Sequence, residues 1–199
     1  MNKLLTLFFI LLFSSFVFSQ ANKKSEIKKI DKYCKSVDFF VKRHKKPQLI
    51  FADISQTEKE KWRKFSSEKT LEKFRENTET YSIAYNWINN RKTNFANFTN
   101  FSESGDWANY VSYYFRPNGK LAKIESRYRT FYGHFAAEQN IYFDLKGKVI
   151  KRWIQYFDLE SMKPIKTPKE WLPDNLDNMN DFNFYKTITK LPFASLLKN

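Results

Sequence analysis

The chain has 199 residues, and its 35 Lys and Arg against 21 Asp and Glu give it a formal net charge of +14 at pH 7. This length suits a single domain with a real hydrophobic core. One cysteine cannot form an internal disulfide, and one cysteine with two histidines nearly excludes a thiol-based or His-rich metal site. We therefore expect no cofactor and no metal.

Residues 1–19 have the features of a signal peptide. Lys3 supplies a positive start, Leu4–Phe18 is almost wholly apolar, and Ser19 is a small residue at a plausible cleavage point. The apolar run is short for a membrane span, which needs about 20 residues. No cysteine follows it directly, since the only one is Cys34, so a lipid anchor is not expected. We predict an exported protein, periplasmic or secreted, without a stable transmembrane segment after cleavage; a retained membrane anchor is the alternative.

The segment from Ser25 to Lys46 is the strongest helix prediction. Apolar residues recur in it at spacings of three and four, and basic residues cover the other side. Pro47 is expected to end the helix. A basic amphipathic helix can also indicate a membrane surface or nucleic acid. Export makes intracellular nucleic acid an implausible partner, and we favour a solvated face on a helix that packs on a sheet.

The next part of the chain is predicted to change from helix to strand. Thr57 and Glu60 form a capping-box pattern that opens a second helix, so that helices occupy about residues 25–78. Tyr81–Trp87 alternates between large apolar and small or polar residues, which favours a strand. The repeated Asn-Phe-x segment at 94–102 has the composition of a loop. Its phenylalanines either bury under the sheet edge or form an aromatic platform for a ligand, and burial is favoured.

The four glycines of the chain are spaced 14 residues apart, at Gly105, Gly119, Gly133 and Gly147. Glycine tolerates positive φ in turns, so this spacing predicts an antiparallel β-meander over about residues 80–158. Two hairpins of the meander, Tyr114–Lys123 and Tyr142–Lys151, share a Tyr-Phe pair, a glycine and the lysine after it. In turn chemistry this pattern resembles the strand-turn-strand units of YD-repeat and MORN-type proteins, and we infer no kinship from it.

Residues 159–199 are predicted to dock on the sheet. Thr167 begins a short helix signal that Pro173 stops. Asn175 to Asn183 is predicted to be a polar loop, and the segment after it is apolar again. An exposed apolar tail would be an aggregation risk. The predicted fold class is therefore α+β. It is an antiparallel meander of about five strands, packed by N-terminal helices and a C-terminal segment in one domain, 20–199.

One face of the predicted sheet is expected to be open to water. The strand from Lys120 to Phe131 alternates, with Arg127 and Arg129 on the open side. Together with Tyr142 and Arg152 on the two strands that follow, they form the predicted binding surface. Its expected ligand is an anionic polymer or an envelope component such as a polysaccharide. The plainer alternative is that the charged face is merely solvated.

Motifs of catalysis are absent from the sequence: there is no H-E-x-x-H, no G-x-S-x-G and no phosphate-binding glycine loop. We therefore expect a non-catalytic protein that binds a ligand or partner outside the cytoplasm. The alternative is an extracytoplasmic hydrolase that uses carboxylates. A cavity that holds two acids beside buried polar groups would favour the enzyme, and a flat basic sheet would favour binding.

Overall fold

The computed structural model describes the backbone of residues 2–55, 59–89 and 92–198 and the side chains of residues 23–55, 59–88 and 93–197. The elements in this part of the chain are α1 (Asn2–Arg43), β1 (Leu49–Asp53), β2 (Trp62–Phe65), α2 (Glu68–Arg75), β3 (Ser82–Asn89), β4 (Lys92–Phe101), β5 (Trp107–Phe115), β6 (Leu121–Thr130), β7 (Phe135–Phe143), β8 (Val149–Asp158), β9 (Pro164–Ile165) and α3 (Leu172–Asn180). Two short 3₁₀ turns, Ile188–Lys190 and Ala194–Lys198, follow α3.

All nine described strands form one antiparallel sheet in the order β2-β1-β3-β4-β5-β6-β7-β8-β9. From β3 onwards each strand pairs with the next along the chain, which confirms the α+β class and the meander. The predicted number of five strands is wrong, because β1, β2, β4 and β9 join the same sheet. β1 and β2 are only five and four residues long. Runs this short give little alternation to detect.

The Asn-Phe segment at 94–102, predicted as a loop, lies almost wholly in β4. It pairs with β3 on one side and β5 on the other. A period of three on a strand alternates between the faces, so Phe95 and Phe101 lie on one face and Phe98 on the other. Phe95 and Phe98 are buried and Phe101 is half-buried, which confirms that these rings are buried and do not form an aromatic platform. They lie in a strand inside the sheet, however, and not under its edge. Pairing on both edges outweighs the preference of asparagine for turns.

The glycines lie in the four successive turns from β4 to β8, and all four have positive φ, between 77° and 91°. The two repeated hairpins share their turn geometry. Gly119 N–H donates to the Arg116 carbonyl at 2.8 Å, and Gly147 N–H donates to the Asp144 carbonyl at 3.1 Å. Both strand pairs also have a register shift next to the turn. The second copy thus forms the same loop as the first without the Pro-Asn pair.

The second helix begins later than predicted. Ser67 is the N-cap of α2: its hydroxyl accepts from Thr70 N–H at 3.2 Å, and the Thr70 hydroxyl accepts from Ser67 N–H at 3.1 Å. The predicted start, Thr57, lies outside the described residues, and Trp62–Phe65 forms β2. The Ser67 box directly precedes the turn that carries Leu71 into the core, so it defines the helix start.

The C-terminal segment docks as predicted, although its helix lies elsewhere. Pro173 does not stop a helix; it lies in the first turn of α3, where a missing N–H is tolerated. The predicted polar loop after it is helical, and its Asn175 and Met179 are buried. Leu191 and Phe193 are buried in the main core, which confirms docking of the last residues.

The two faces of the sheet have different covers. The face that we call the C-terminal face packs against α3 and the segment after it. The opposite face, which we call the helix face, is covered by two helices. α1 lies across one end of β4–β8, and α2 lies across β1 and β3. In the part of α1 whose side chains are described, the buried ones are those of Ile30, Cys34 and Val37.

α1 is longer than the predicted helix. It runs without a break from Asn2 to Arg43 instead of from Ser25 to Lys46. Cleavage of residues 1–19 stays a prediction. Among the residues whose side chains the structure describes, which in α1 begin at Lys23, no helix is both long and apolar enough to cross a membrane.

Candidate functional site

Beside α1, the helix face of the sheet forms a concave polar surface that opens to solvent, which we call the basin. It encloses a cavity of about 500 Å³. Its lining comes from four adjacent strands, β4 to β7. The side chains of Asn97, Tyr110, Ser112, Glu125, Arg127, Arg129, Glu138 and Asn140 face it, whereas Ser126 and Gln139, which also border it, direct their side chains to the C-terminal face. The basin is therefore built on strand backbone, which holds its side chains in fixed register.

The row of the basin nearest to α1 is mainly polar. Antiparallel pairing places Asn97, Ser112, Glu125 and Asn140 side by side. The Asn97 amide donates to the Ser112 hydroxyl at 3.0 Å. Trp153 of β8 pairs with Asn140 and continues the row. Its side chain is 41% exposed, so the row ends in an accessible aromatic ring.

The second row contains an ion pair and another aromatic ring. Tyr110, Arg127 and Glu138 are register partners on β5, β6 and β7. The Arg127 guanidinium reaches Glu138 Oε1 with Nη2 at 2.6 Å and with Nε at 2.9 Å. Arg127 is 58% exposed, so solvent screens this pair, and its contribution to stability is about 1 kcal/mol or less. Tyr110 is 41% exposed.

Arg129 lies two residues further along β6, between the small register partners Ala108 and Ala136. Its side chain is exposed. It donates a long hydrogen bond of 3.5 Å to the Leu159 carbonyl, and it forms no ion pair with any carboxylate of the described residues. Arg129 is therefore the basin's available positive charge.

Glu125 joins the basin to a partly buried polar network beneath α1. Lys123 Nζ lies 2.6 Å from Glu125 Oε1 and 3.7 Å from Asp31 Oδ1. The Tyr114 hydroxyl lies 2.8 Å from Asp38 Oδ1 and 3.0 Å from Glu125 Oε2. Burial by itself would lower the pKa of Lys123, but the hydrogen bond and charge of Glu125 outweigh it and raise that pKa. The contacts with Lys123 and Tyr114 therefore hold the Glu125 carboxylate in position at the edge of the basin.

Tyr142, predicted as a binding residue with Arg127 and Arg129, lies on the same face but not in the basin. It is 6% exposed beneath α1, and its hydroxyl donates to Asp31 Oδ1 at 2.9 Å. Its predicted position on the open surface is wrong, because α1 covers this end of β7. The structure brings only the two arginines together.

Arg152 is on the other face of the sheet. It pairs with Ile141, whose side chain is buried in the core of the C-terminal face. Its guanidinium donates to Gln139 Oε1 at 2.8 Å and to Asn180 Oδ1 at 2.7 Å. The predicted position of Arg152 beside Arg127 is therefore wrong. Alternation along β8 places it with the residues that face α3.

Sequence reasoning did not identify Tyr110, Glu125, Glu138 or Trp153 as residues of this site. The available signal was alternation along four strands combined with their mutual register. That register includes a shift between Tyr142 and Phe143, which local patterns do not reveal.

The basin can form several kinds of contact at once. It offers amide, hydroxyl and carboxylate groups for hydrogen bonds, one available guanidinium and the accessible ring of Tyr110, and the accessible ring of Trp153 lies beside it on β8. The described residues contain no group of three or more His, Cys, Asp or Glu side chains placed to hold a metal ion. The chain matches no protein-family model, no curated protein and no solved structure.

Proposed function

We propose that the protein is a non-catalytic binding protein that holds an anionic polysaccharide across the basin. The observation that carries this proposal is one open polar surface with an available cation, Arg129, and an exposed ring, Tyr110; the exposed ring of Trp153 lies beside this surface on β8. An anionic polysaccharide presents hydroxyl groups at the ring edges, C–H groups on the ring faces, and carboxylate or sulfate groups. The basin has a counterpart for each of these three.

Charge balance in the basin favours a hydroxylated ligand over a bare polyanion. Arg127 is paired with Glu138, and Glu125 is paired with Lys123, so these four charges largely cancel. The remaining charge is that of Arg129. A planar guanidinium binds a carboxylate or sulfate through two parallel hydrogen bonds. A ligand with spaced acidic groups among many hydroxyls fits this arrangement.

The neutral part of the ligand would lie on the aromatic rings. Tyr110 on β5 and Trp153 on β8 flank the polar lining of the strands between them. Aromatic rings supply a large apolar contact while their polar atoms stay hydrated. Asn97 and Ser112 add hydrogen-bonding groups next to Tyr110. The predicted export would deliver the protein to the compartment that contains envelope polysaccharides.

Affinity chromatography on heparin and on alginate tests the proposal, with neutral dextran as the matrix control. Arg129→Gln should lower affinity about tenfold, which corresponds to the loss of one charged hydrogen-bonding group. The matched control is Arg152→Gln, which removes the same charge from the other face of the sheet. It should keep the parent affinity. Lysines elsewhere on the protein contribute equally to the affinity of the two variants. The difference in affinity between them therefore measures the contribution of the basin.

Trp153→Ala separates stacking from charge. It should weaken retention on alginate, although it leaves the net charge unchanged. Because Arg129 and Trp153 are exposed, both variants should melt close to the parent, within about 0.5 kcal/mol of stability. Equal retention of Arg129→Gln and the parent would contradict the proposal. So would an equal loss with Arg152→Gln, which would indicate attraction by net charge alone.

The alternative function is a hydrolase of the same polysaccharide. The observation that favours it is that two carboxylates, Glu125 and Glu138, line one cavity. Each already contacts a cation, which favours binding, because a general acid needs a proton to donate. Release of new reducing ends from alginate by the parent would favour the hydrolase, provided that Glu125→Gln and Glu138→Gln abolish it. Retention without release would favour the binding protein.

A further inference from the structure

The charged residues of α1 are sorted by sign between its two sides. The helix has three acidic residues, and all three point towards the sheet. Glu26 pairs with Arg116 at 3.3 Å. The other two, Asp31 and Asp38, accept hydrogen bonds from the Tyr142 and Tyr114 hydroxyls at 2.9 and 2.8 Å. The side of α1 that faces away from the sheet is left without a negative charge among its described residues.

That outer side, which we call the basic face, is densely positive. Its exposed basic residues are Lys24, Lys28, Lys29, Lys32, Lys35, Lys42 and Arg43. Lys28, Lys32 and Lys35 follow one another at spacings of four and three, and Phe39 comes four residues later. The Phe39 side chain is 70% exposed. The basic face therefore has an apolar ring in line with its lysines.

This arrangement is unfavourable for a helix that meets only water. Like charges three and four residues apart destabilise a helix, whereas surface helices usually alternate both signs. An exposed phenylalanine adds apolar surface to water. A partner that is negatively charged over a wide area and apolar beneath would relieve both costs.

We infer that the basic face of α1 binds an anionic lipid bilayer surface. Lysines are attracted to anionic headgroups without needing a fixed geometry, and an aromatic ring among them enters the interface. The predominance of lysine over arginine suits a diffuse surface charge better than a bidentate site. The inference uses no residue of the basin and does not depend on polysaccharide binding.

Cosedimentation of the purified exported protein with lipid vesicles tests the inference. One set of vesicles is phosphatidylcholine alone, and in the other about a third of the lipid is phosphatidylglycerol, which supplies the anionic surface potential. The protein should sediment only with the anionic vesicles. High salt should release it, because the screening length falls from about 10 Å at 0.1 M to about 3 Å at 1 M.

Matched variants locate the contact. The triple variant K28Q/K32Q/K35Q should bind anionic vesicles at least about tenfold more weakly. The control is K163Q/K166Q/K169Q, which removes the same charge from exposed positions after β8 and should stay within about twofold of the parent. Phe39→Ser should weaken binding while keeping the charge. All substituted side chains are exposed, and circular dichroism checks that α1 remains helical.

Three outcomes would overturn the inference. The first is equal binding by the two triple variants. The second is equal binding to neutral and anionic vesicles, which would indicate insertion of a retained apolar leader. The third is loss of heparin retention by the α1 variant without any vesicle binding, which would identify a polysaccharide as the partner of this face.

Discussion

Gly133 and Gly105 share a backbone conformation but not an environment. Their φ angles are +91° and +77°. A Cβ on Gly133 would lie 2.6 Å from the Trp171 Cβ, whereas a Cβ on Gly105 would meet no described atom within 4 Å. Gly105→Ala should cost about 1 kcal/mol, the strain of a left-handed residue. Gly133→Ala should cost about 2 kcal/mol more, because Trp171 has to move. Urea unfolding measures both, and equal losses would mean that Trp171 does not pack on this turn.

Lys123 and Lys151 also form a comparable pair, because both lie over the ring of Tyr142. Their Nζ atoms are 4.8 and 5.5 Å from its centroid. Only Lys123 is buried, with 9% of its side chain exposed, and it lies within ion-pair distance of two acids, Glu125 and Asp31. Lys123→Met should destabilise the protein by about 2 kcal/mol, below the full value for a buried pair because its partners are partly exposed. Lys151→Met should stay within about 0.5 kcal/mol of the parent in thermal unfolding. A small loss for Lys123→Met would indicate that water reaches the two acids.

Arg116 connects three elements of the fold. Its guanidinium donates to the Leu121 carbonyl in its own hairpin, to the Phe143 carbonyl at the end of β7 at 2.7 Å, and to Glu26 of α1 at 3.3 Å. It therefore joins the two repeated hairpins to each other and to the helix.

We expect Arg116→Met to destabilise the protein by about 2–3 kcal/mol, since two partly buried carbonyls and a carboxylate lose their donor. Lys120→Met is the control. Lys120 also donates to a carbonyl of the neighbouring hairpin, that of Leu145 at 3.0 Å, but from an exposed position. Lys120→Met should lower the free energy of unfolding by about 0.5 kcal/mol. Chemical unfolding measures the free energy of unfolding of both variants. Similar losses of stability in the two would show that Arg116 acts only as a surface hydrogen-bond donor.

Elements were predictable from sequence where their signal was local. The turns of the meander depend on glycines at positive φ, and these turns appear where the glycines predict them. Local signals gave wrong element boundaries where one sequence pattern is compatible with two different structures. The sequence pattern at Thr57 predicted a helix start, but the capping box that the structure describes is at Ser67, with Thr70 in the place of the usual Glu or Gln. Likewise, Pro173 can end a helix or lie in its first turn. The phenylalanine period of three in β4 matches neither a helix nor a simple strand.

The candidate site was predictable only in part. Alternation along β6 placed Arg127 and Arg129 on the open side. The positions of Tyr142 and Arg152 depended on which part of the face α1 covers and on the register of β8, and neither follows from local spacing. Glu138 lies in the site because it is the register partner of Arg127 on the adjacent strand, β7.

At the scale of the whole molecule, the two ends of the described chain pack on opposite faces of the sheet. α1 covers part of the helix face, and the residues after α3 cover the C-terminal face. Each of the two segments contributes one tyrosine to its contact with the sheet. The Tyr33 hydroxyl of α1 donates to the Phe115 carbonyl. Tyr185 packs against Phe98 and Tyr113, with ring centroids 5.8 and 5.3 Å apart. Each phenol therefore reports the docking of one segment.

Burial raises the pKa of Tyr33 and of Tyr185 to about 12, from an ordinary value near 10. The folded state then keeps these protons at a pH where the unfolded chain has released them. Stability from both groups is complete below about pH 10 and is lost as the pH rises towards about 12. The free energy of unfolding should therefore fall over this interval, and phenolate absorbance should include a late phase.

Tyr33→Phe and Tyr185→Phe assign that late phase, because each removes one titrating phenol and keeps the ring. Each variant should lose part of the late absorbance, and its stability should depend less on pH between about 10 and 12. If Tyr33→Phe leaves the titration unchanged, α1 is not docked on the sheet in solution; if Tyr185→Phe does so, the C-terminal segment is not.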